Sequence, residues 1–314
     1  MRRTVLIDAP SNLGLRPPAP GTVPGCAKLA GALREQGLLH RLGALEGGVV
    51  VPPRYDLTGW REGVDGDFNA AAMAGYTRKL AGRVEDRVRS GDFPVLLGGD
   101  CSILLGAVLG LRRLGRYGVA YLDGHGDFRH PGNVAVSGPL GAAAGEGVAQ
   151  ITGRGQADLT DIDGLRPYVR DEDLSVLGIR DADENQAELT ELGIRHTPVG
   201  EIRRLGPETV ARTVLDHLQG PALDGFWIHL DADVLDPSVM PAVDSPDPGG
   251  LLTDELRSLL APLAASPRCV GVNLTIYDPD LDPDAKGAAL LADLLEDVLA
   301  PGDVLAPEDA LAQP

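Results

Sequence analysis

The sequence predicts an α/β fold in which a mostly parallel central β-sheet carries helices on both faces. Two observations predict it. Short apolar runs alternate along the chain with segments of helical apolar spacing, the pattern of repeated strand–helix units. The runs are apolar nearly throughout, as strands buried on both faces must be. In chain order, strands are expected at 4–7 (Thr-Val-Leu-Ile), 94–97 (Pro-Val-Leu-Leu), 118–122 (Gly-Val-Ala-Tyr-Leu), 174–178 (Leu-Ser-Val-Leu-Gly), 226–230 (Phe-Trp-Ile-His-Leu) and 269–276. Each has strand length and β-branched or large apolar content. Helices are expected near 25–37, 68–90, 102–113, 185–192, 207–218, 253–264 and 287–299. The Pro/Gly-rich segments 9–25, 130–147 and 236–250 follow strands and read as loops around a site at the strand carboxyl ends. The expected organisation is one domain over 1–300 and a loosely held tail at 301–314.

The chain has 314 residues, ample for one large domain, with 43% hydrophobic residues and a formal net charge of −18. An acidic surface of this size excludes nucleic acid and anionic membranes as partners. Cys26, Cys101 and Cys269 are too few and odd in number for a disulfide framework and suit a reducing compartment. The apolar run near the amino terminus is too short for a signal or a membrane span. The expected location is cytoplasmic.

The chemistry concentrates in Tyr121-Leu-Asp-Gly-His-Gly-Asp127 and Leu230-Asp-Ala-Asp233. Asp123, His125 and Asp127 alternate at i, i+2 and i+4, and Asp231 and Asp233 do the same. Both sets close apolar runs. On an extended strand such alternation aims side chains to one face. Like charges this dense repel unless a cation lies among them. Two such strand ends side by side imply a two-metal hydrolytic centre.

A third motif, Gly98-Gly-Asp-Cys-Ser102, follows Val95-Leu-Leu97. Gly-Gly-Asp-X-Ser, then Asp-X-His-X-Asp, then Asp-X-Asp with Leu235-Asp-Pro-Ser238, is in order the signature of the ureohydrolase family of arginase, agmatinase and formimidoylglutamase. Gly178-Ile-Arg-Asp181, Pro241-Ala242 and Gly249-Gly-Leu251 support it, and the resemblance runs from about residue 6 to residue 283. It implies an arginase-like three-layer α/β/α fold and two manganese ions. By position, Asp123 and Asp231 would bridge the metals. His125 and Asp233 would complete one, and Asp127 and residue 101 the other. The family's reaction is attack of metal-activated hydroxide on a guanidino or amidino carbon, with Asp127 holding the hydroxide by a hydrogen bond. The resemblance also implies a small-molecule substrate and a homo-oligomer, a trimer or hexamer.

Three departures stand out. The family's His ligand is Cys101, a soft donor that favours zinc, iron, cobalt or nickel over manganese. The family's Ser-Gly-Asn-X-His-Gly loop is replaced by residues 129–144, which puts Ala144 at the position of the proton-shuttling His. Asn133, Ser137 and Gly138 remain as substrate contacts, and His130 is a substitute acid. The family's guanidinium-binding Glu aligns with Ile276, which removes a charge-assisted hydrogen bond worth about 1.5–3 kcal/mol. L-arginine is therefore not the expected substrate. Asp181 and Asp183 match a family loop that meets substrate and are also consistent with an ordinary helix cap. His229, alternating with Asp231, is placed for a supporting hydrogen bond to the ligands. The sequence thus leads to a metal-dependent hydrolase of linear C–N bonds in an amidine- or guanidine-type molecule. The alternative is a catalytically silent protein of the same fold with a binding or regulatory role.

Overall fold

Apolar residues along the central strands require cover on both sides of the sheet, and the chain supplies it. The structure, a computed structural model, describes residues 2–58, 66–138 and 140–300, so the tail expected at 301–314 lies outside the described residues. Its strands are β1 (Thr4–Asp8), β2 (Leu45–Val49), β3 (Phe93–Leu97), β4 (Tyr117–Leu122), β5 (Leu174–Leu177), β6 (Arg195–Thr197), β7 (Gly225–Asp231) and β8 (Cys269–Thr275). They form one sheet in the order β2-β1-β3-β8-β7-β4-β5-β6. Every pairing is parallel. The principal helices are α1 (Leu29–Glu35), α2 (Ala70–Arg89), α3 (Ile103–Leu114), α4 (Gln186–Glu191), α5 (Val199–Leu205), α6 (Pro207–Leu218), α7 (Thr253–Ala265) and α8 (Lys286–Leu299).

Successive strand residues face opposite sides, and the core divides accordingly. Leu6, Leu122, Ile228 and Leu230 pack on one face with Leu29, Val214, Leu259 and Leu291 of α1, α6, α7 and α8. Val5, Ile7, Val119, Tyr121 and Trp227 pack on the other with Leu80 of α2 and Val108 of α3. The result is the three-layer α/β/α arrangement with a parallel sheet.

The six expected strands are present. The two additional ones, β2 and β6, are the sheet's edges. Their sequences, Leu-Glu-Gly-Gly-Val and Arg-His-Thr, are short or polar because an edge strand is covered on fewer sides. Because all strands run the same way, their carboxyl ends share one rim. β3, β8, β7 and β4 are neighbours at the centre, and each ends in a motif of interest.

The layer beyond α3 depends on two glycines. A Cβ on Gly106 would stand 2.8 Å from Leu80 Cβ, and one on Gly110 2.6 Å from the Ala81 carbonyl oxygen. That backbone atom cannot swing aside. Gly110→Ala is expected to destabilise by about 1–3 kcal/mol. Gly75→Ala, on α2 with nothing within 4 Å, should be neutral or stabilise by about 0.5–1 kcal/mol. Thermal unfolding of the two variants checks the contrast.

Candidate metal centre

At the end of β3 the Gly-Gly turn passes so near the amino-terminal loop that a Cβ on Gly99 would lie 1.5 Å from Ser11 O. Asp100 fixes this turn. It accepts from Ser11 Oγ at 3.0 Å and from Ser102 N at 2.8 Å. Cys101 is thereby directed beneath β7, with Sγ 2.6 Å from Asp231 Oδ2 and 3.3 Å from Thr275 Oγ1.

The acidic motifs converge, but not by strand alternation. β4 ends at Leu122, one residue before Asp123, and Asp127 has a left-handed backbone with φ 44°. Local turns aim the side chains instead. Asp123 Oδ1 accepts from His125 N at 2.7 Å, and Asp231 Oδ1 accepts from Asp233 N at 2.8 Å. Asp233 Oδ1 accepts from Gly124 N at 3.0 Å, which ties the two loops together. The i, i+2 spacing in the sequence therefore reports paired side-chain-to-backbone turns.

Two ligand sets result. Cys101, Asp123, His229 and Asp231 offer donor atoms within 4.8 Å of one another, and so do Asp123, His125 and Asp233. Asp123 belongs to both. Its Oδ2 is buried without a partner, a costly state for a carboxylate oxygen unless a cation meets it. His125 points Nδ1 at Asp233 Oδ2, 3.0 Å away, while Nε2 lies 3.1 Å from Asp247 Oδ2. A carboxylate behind the outer nitrogen is the usual support for a metal-binding imidazole. Asp127 lies outside both sets but lines the same cavity, held by a 2.5 Å hydrogen bond from Tyr121 OH.

The electrostatics are those of crowded buried carboxylates. Burial pushes Asp123 up to about 6, with Asp233 adding to it. Burial raises Asp127 and Asp231 well above the usual range, reinforced by Asp123 and by Asp233 respectively. Asp233 is held low despite its burial, because His125 donates to it. Burial disfavours charge on His125, yet Asp123 and Asp233 hold it protonated far above its ordinary value. Divalent cations fit this donor set, since they replace the bound protons and relieve the repulsion.

His229 is near enough to be a ligand, but its surroundings fix another role. The Trp227 indole can only donate, and it donates to Asn273 Oδ1 at 2.7 Å. The Asn273 amide nitrogen therefore faces His229 Nδ1, also at 2.7 Å. Nδ1 accepts, so the neutral ring carries its proton on Nε2. That atom has no partner and lies 3.9 Å from the lone Asp123 Oδ2. A proton-bearing nitrogen faces the carboxylate without coordinating a cation. Burial pushes His229 down to about 3, which keeps it neutral.

A cavity of about 240 Å³ opens over these groups. The centre is built from the carboxyl-end loops of a parallel sheet, and the family model described as Arginase family matches residues 16–300. The chain belongs to the arginase family. Arginase from Bacillus caldovelox is 34% identical over 229 residues, covering 72% of this chain and 75% of that protein. Arginase from Bacillus subtilis (strain 168) is 30% identical over 273 residues, with 85% and 90% covered. The native structure of the Bacillus caldovelox arginase superposes with a TM-score of 0.85 at 29% identity, covering 98% of this chain and 100% of that one.

The three positions read from the sequence as departures from the family meet in this cavity. Cys101, Ala144 and Ile276 all line it. Ile276 has φ 73°, a left-handed conformation that a β-branched residue resists, and its N–H donates to Gly99 O at 2.7 Å. Asp183 also lines the cavity and accepts from Gly126 N and Asn185 N.

The other residues singled out from the sequence lie elsewhere. Asn133 donates to Phe128 O and Glu188 Oε2 and does not line the cavity. Asp181 caps the Gly200 N–H on the exposed side. His130 pairs with Glu188 at 3.0 Å. Sequence reasoning quoted Arg180 within a motif but gave it no role; its guanidinium donates to the carbonyls of Asp233 and Asp247 at 2.8 Å and clamps both loops. It missed Asp244 and Asp247, which line the cavity from the Pro/Gly-rich loop at 236–250. Their only signal was acidic residues in a loop already expected to wall the site. Asp244 is exposed as a residue, yet desolvation within the cavity raises its carboxyl above the usual range, with Asp233 contributing.

Saturating divalent metal should stabilise the protein by about 2.7 kcal/mol at a hundredfold excess over Kd, and chelation should reverse this in thermal unfolding. Chelated Asp123→Asn is expected to melt no lower than the chelated native chain, because one repelling carboxylate is gone. It should also gain less on metal addition.

Proposed function

We propose that this chain is a metal-dependent hydrolase that cleaves a linear C–N bond in a guanidine- or amidine-type small molecule. The observation that carries the proposal is Asp123, shared by two ligand sets and left with a buried, unpartnered oxygen between them. Asp123, His125 and Asp233 would hold one cation. Asp123, Asp231 and Cys101 would hold the other, with Asp127 completing it. When bound, a pair of divalent cations lowers the pKa of water so that hydroxide is available at neutral pH.

The protein's residues do the rest by position. Asp127, fixed by Tyr121, accepts a hydrogen bond from the nucleophile and orients it toward the carbon under attack. Arg180 and the Asp123 and Asp231 turns keep the donor atoms in place as charge develops. Asp183, held beside His125 and Asp127 by the N–H groups of Gly126 and Asn185, lines the same cavity as a carboxylate placed to meet the substrate. The C–N bond breaks, and the proton lost by water passes to the departing nitrogen.

Cys101 favours zinc, iron, cobalt or nickel over the manganese expected from family resemblance. Ile276 and Ala144 give L-arginine neither a carboxylate nor a shuttling imidazole. The substrate is accordingly a different guanidine or amidine. Assembly as a homo-oligomer and a cytoplasmic location belong to the same proposal. Among the described residues no helix is long and apolar enough to cross a membrane. The replacements Cys101, Ala144 and Ile276 also favour a second reading, a catalytically silent scaffold.

Metal content measured by plasma mass spectrometry on untagged protein separates the two readings. The expected result is two divalent ions per chain, lost together with hydrolysis in Asp123→Asn. A chain that holds no divalent metal even after titration removes the enzyme reading. Cys101→His is expected to shift preference toward manganese by at least tenfold in relative affinity.

A further inference from the structure

A second cavity of about 640 Å³ adjoins the first. The two share Leu15, Ala142, Asp244 and Ile276 as walls, so they lie side by side. Their characters differ. The first is lined by the carboxylates, and the second is lined largely by apolar groups, among them Pro18, Val23, Pro24, Val243 and Leu281. Val23 and Leu281 are 45% and 54% exposed, so apolar surface is left facing this space. Its volume is that of an ordinary small-molecule site.

The polar groups around the second cavity are mostly spent. Asp278 accepts from the backbone of Gly25 and of Asp280. Asp280 takes Lys28, and Arg16 donates to Leu140 O. Asp244 differs. Among the described residues it has no ion pair and no side-chain hydrogen bond to another residue, although it lines both cavities.

We infer that the substrate is a cationic guanidine or amidine bearing an apolar substituent, with Asp244 binding the cation and the second cavity taking the substituent. The inference rests on the metal-dependent hydrolase reading and specifies its substrate. The cationic head lies over the metal centre, where Ile276 supplies shape but no charge. Asp244, at the junction, is the carboxylate that receives its N–H groups. The remainder of the molecule extends past Ile276 into apolar space, where a zwitterionic amino-acid head would be left poorly solvated. For a guanidinium R–NH–C(NH2)2+, one water adds at the guanidino carbon and the bond from that carbon to the R-bearing nitrogen breaks. The products are R–NH3+ and urea, with charge conserved.

The test uses the metal-loaded protein and a series of n-alkylguanidines from methyl to hexyl, the matching neutral n-alkylureas, and L-arginine. Binding is read by calorimetry, turnover by amine release, and metal content is measured on every sample. Affinity should rise about fourfold per methylene. Pentylguanidine should exceed L-arginine at least tenfold. Asp244→Asn should keep its metals and lose at least about tenfold of the preference for guanidine over urea. Val23→Trp, at the exposed rim, should flatten the chain-length series at unchanged metal content.

A flat series in the native protein, a preference for L-arginine, or an unaltered guanidine preference in Asp244→Asn overturns the inference while leaving the hydrolase reading in place. Loss of a metal in Asp244→Asn overturns it too, by assigning that carboxylate to the cations. A native protein that binds no divalent metal removes the hydrolase reading itself, and this inference with it.

Discussion

Mutual repulsion among buried carboxylates is the constraint on which the architecture turns. Asp123, Asp127, Asp231 and Asp233 are each at most 7% exposed, and they are gathered at the carboxyl ends of the two adjacent strands β4 and β7. Nothing in the apolar core favours such an assembly. It persists because each carboxylate has one oxygen committed to a short bond within its own framework, from His125 N, Gly124 N, Asp233 N or Tyr121 OH. The remaining oxygens are turned toward a common interior. The sheet supplies rigidity, the turns supply aim, and the leftover charge defines what the site must receive.

Rigid support reaches well beyond the acidic residues. Arg180 ties the loop after β7 to the loop that carries Asp247, and Asp247 in turn stands behind His125. On the other side, Trp227, Asn273 and His229 link β7 to β8 in a line of hydrogen bonds that ends facing Asp123. The direction of that line follows from the indole's inability to accept, which fixes the imidazole tautomer. The Gly-Gly turn after β3 closes the ring, because only an absent side chain lets it pass Ser11.

Much of this was legible in the sequence. The central strands announced themselves because burial on both faces leaves them few polar positions. β2 and β6 did not, since edge strands need no such purity. The residues of the centre were legible from motif order, although the strand alternation invoked for them gives way to turns at the strand ends. Asn133 and Asp181 were plausible from their loops, but nothing in a sequence says which way a loop side chain is spent, and both are spent on backbone or on a neighbouring side chain. What Arg180, Asp244 and Asp247 do escaped notice for the converse reason. Their roles exist only once distant segments are folded together.

Trp227 carries a consequence for how the molecule can be observed. Its ring is wholly buried, lies so close to Gly271 that a Cβ there would overlap it, and donates its N–H to the residue that orients His229. The chain has only one other tryptophan, Trp60. With Trp60 replaced by Phe, the intrinsic fluorescence of the protein comes from a single indole two hydrogen bonds away from the imidazole facing the shared carboxylate. That single-tryptophan chain contains its own optical probe beside the centre, linked to it through Asn273 and His229, and needs no external label.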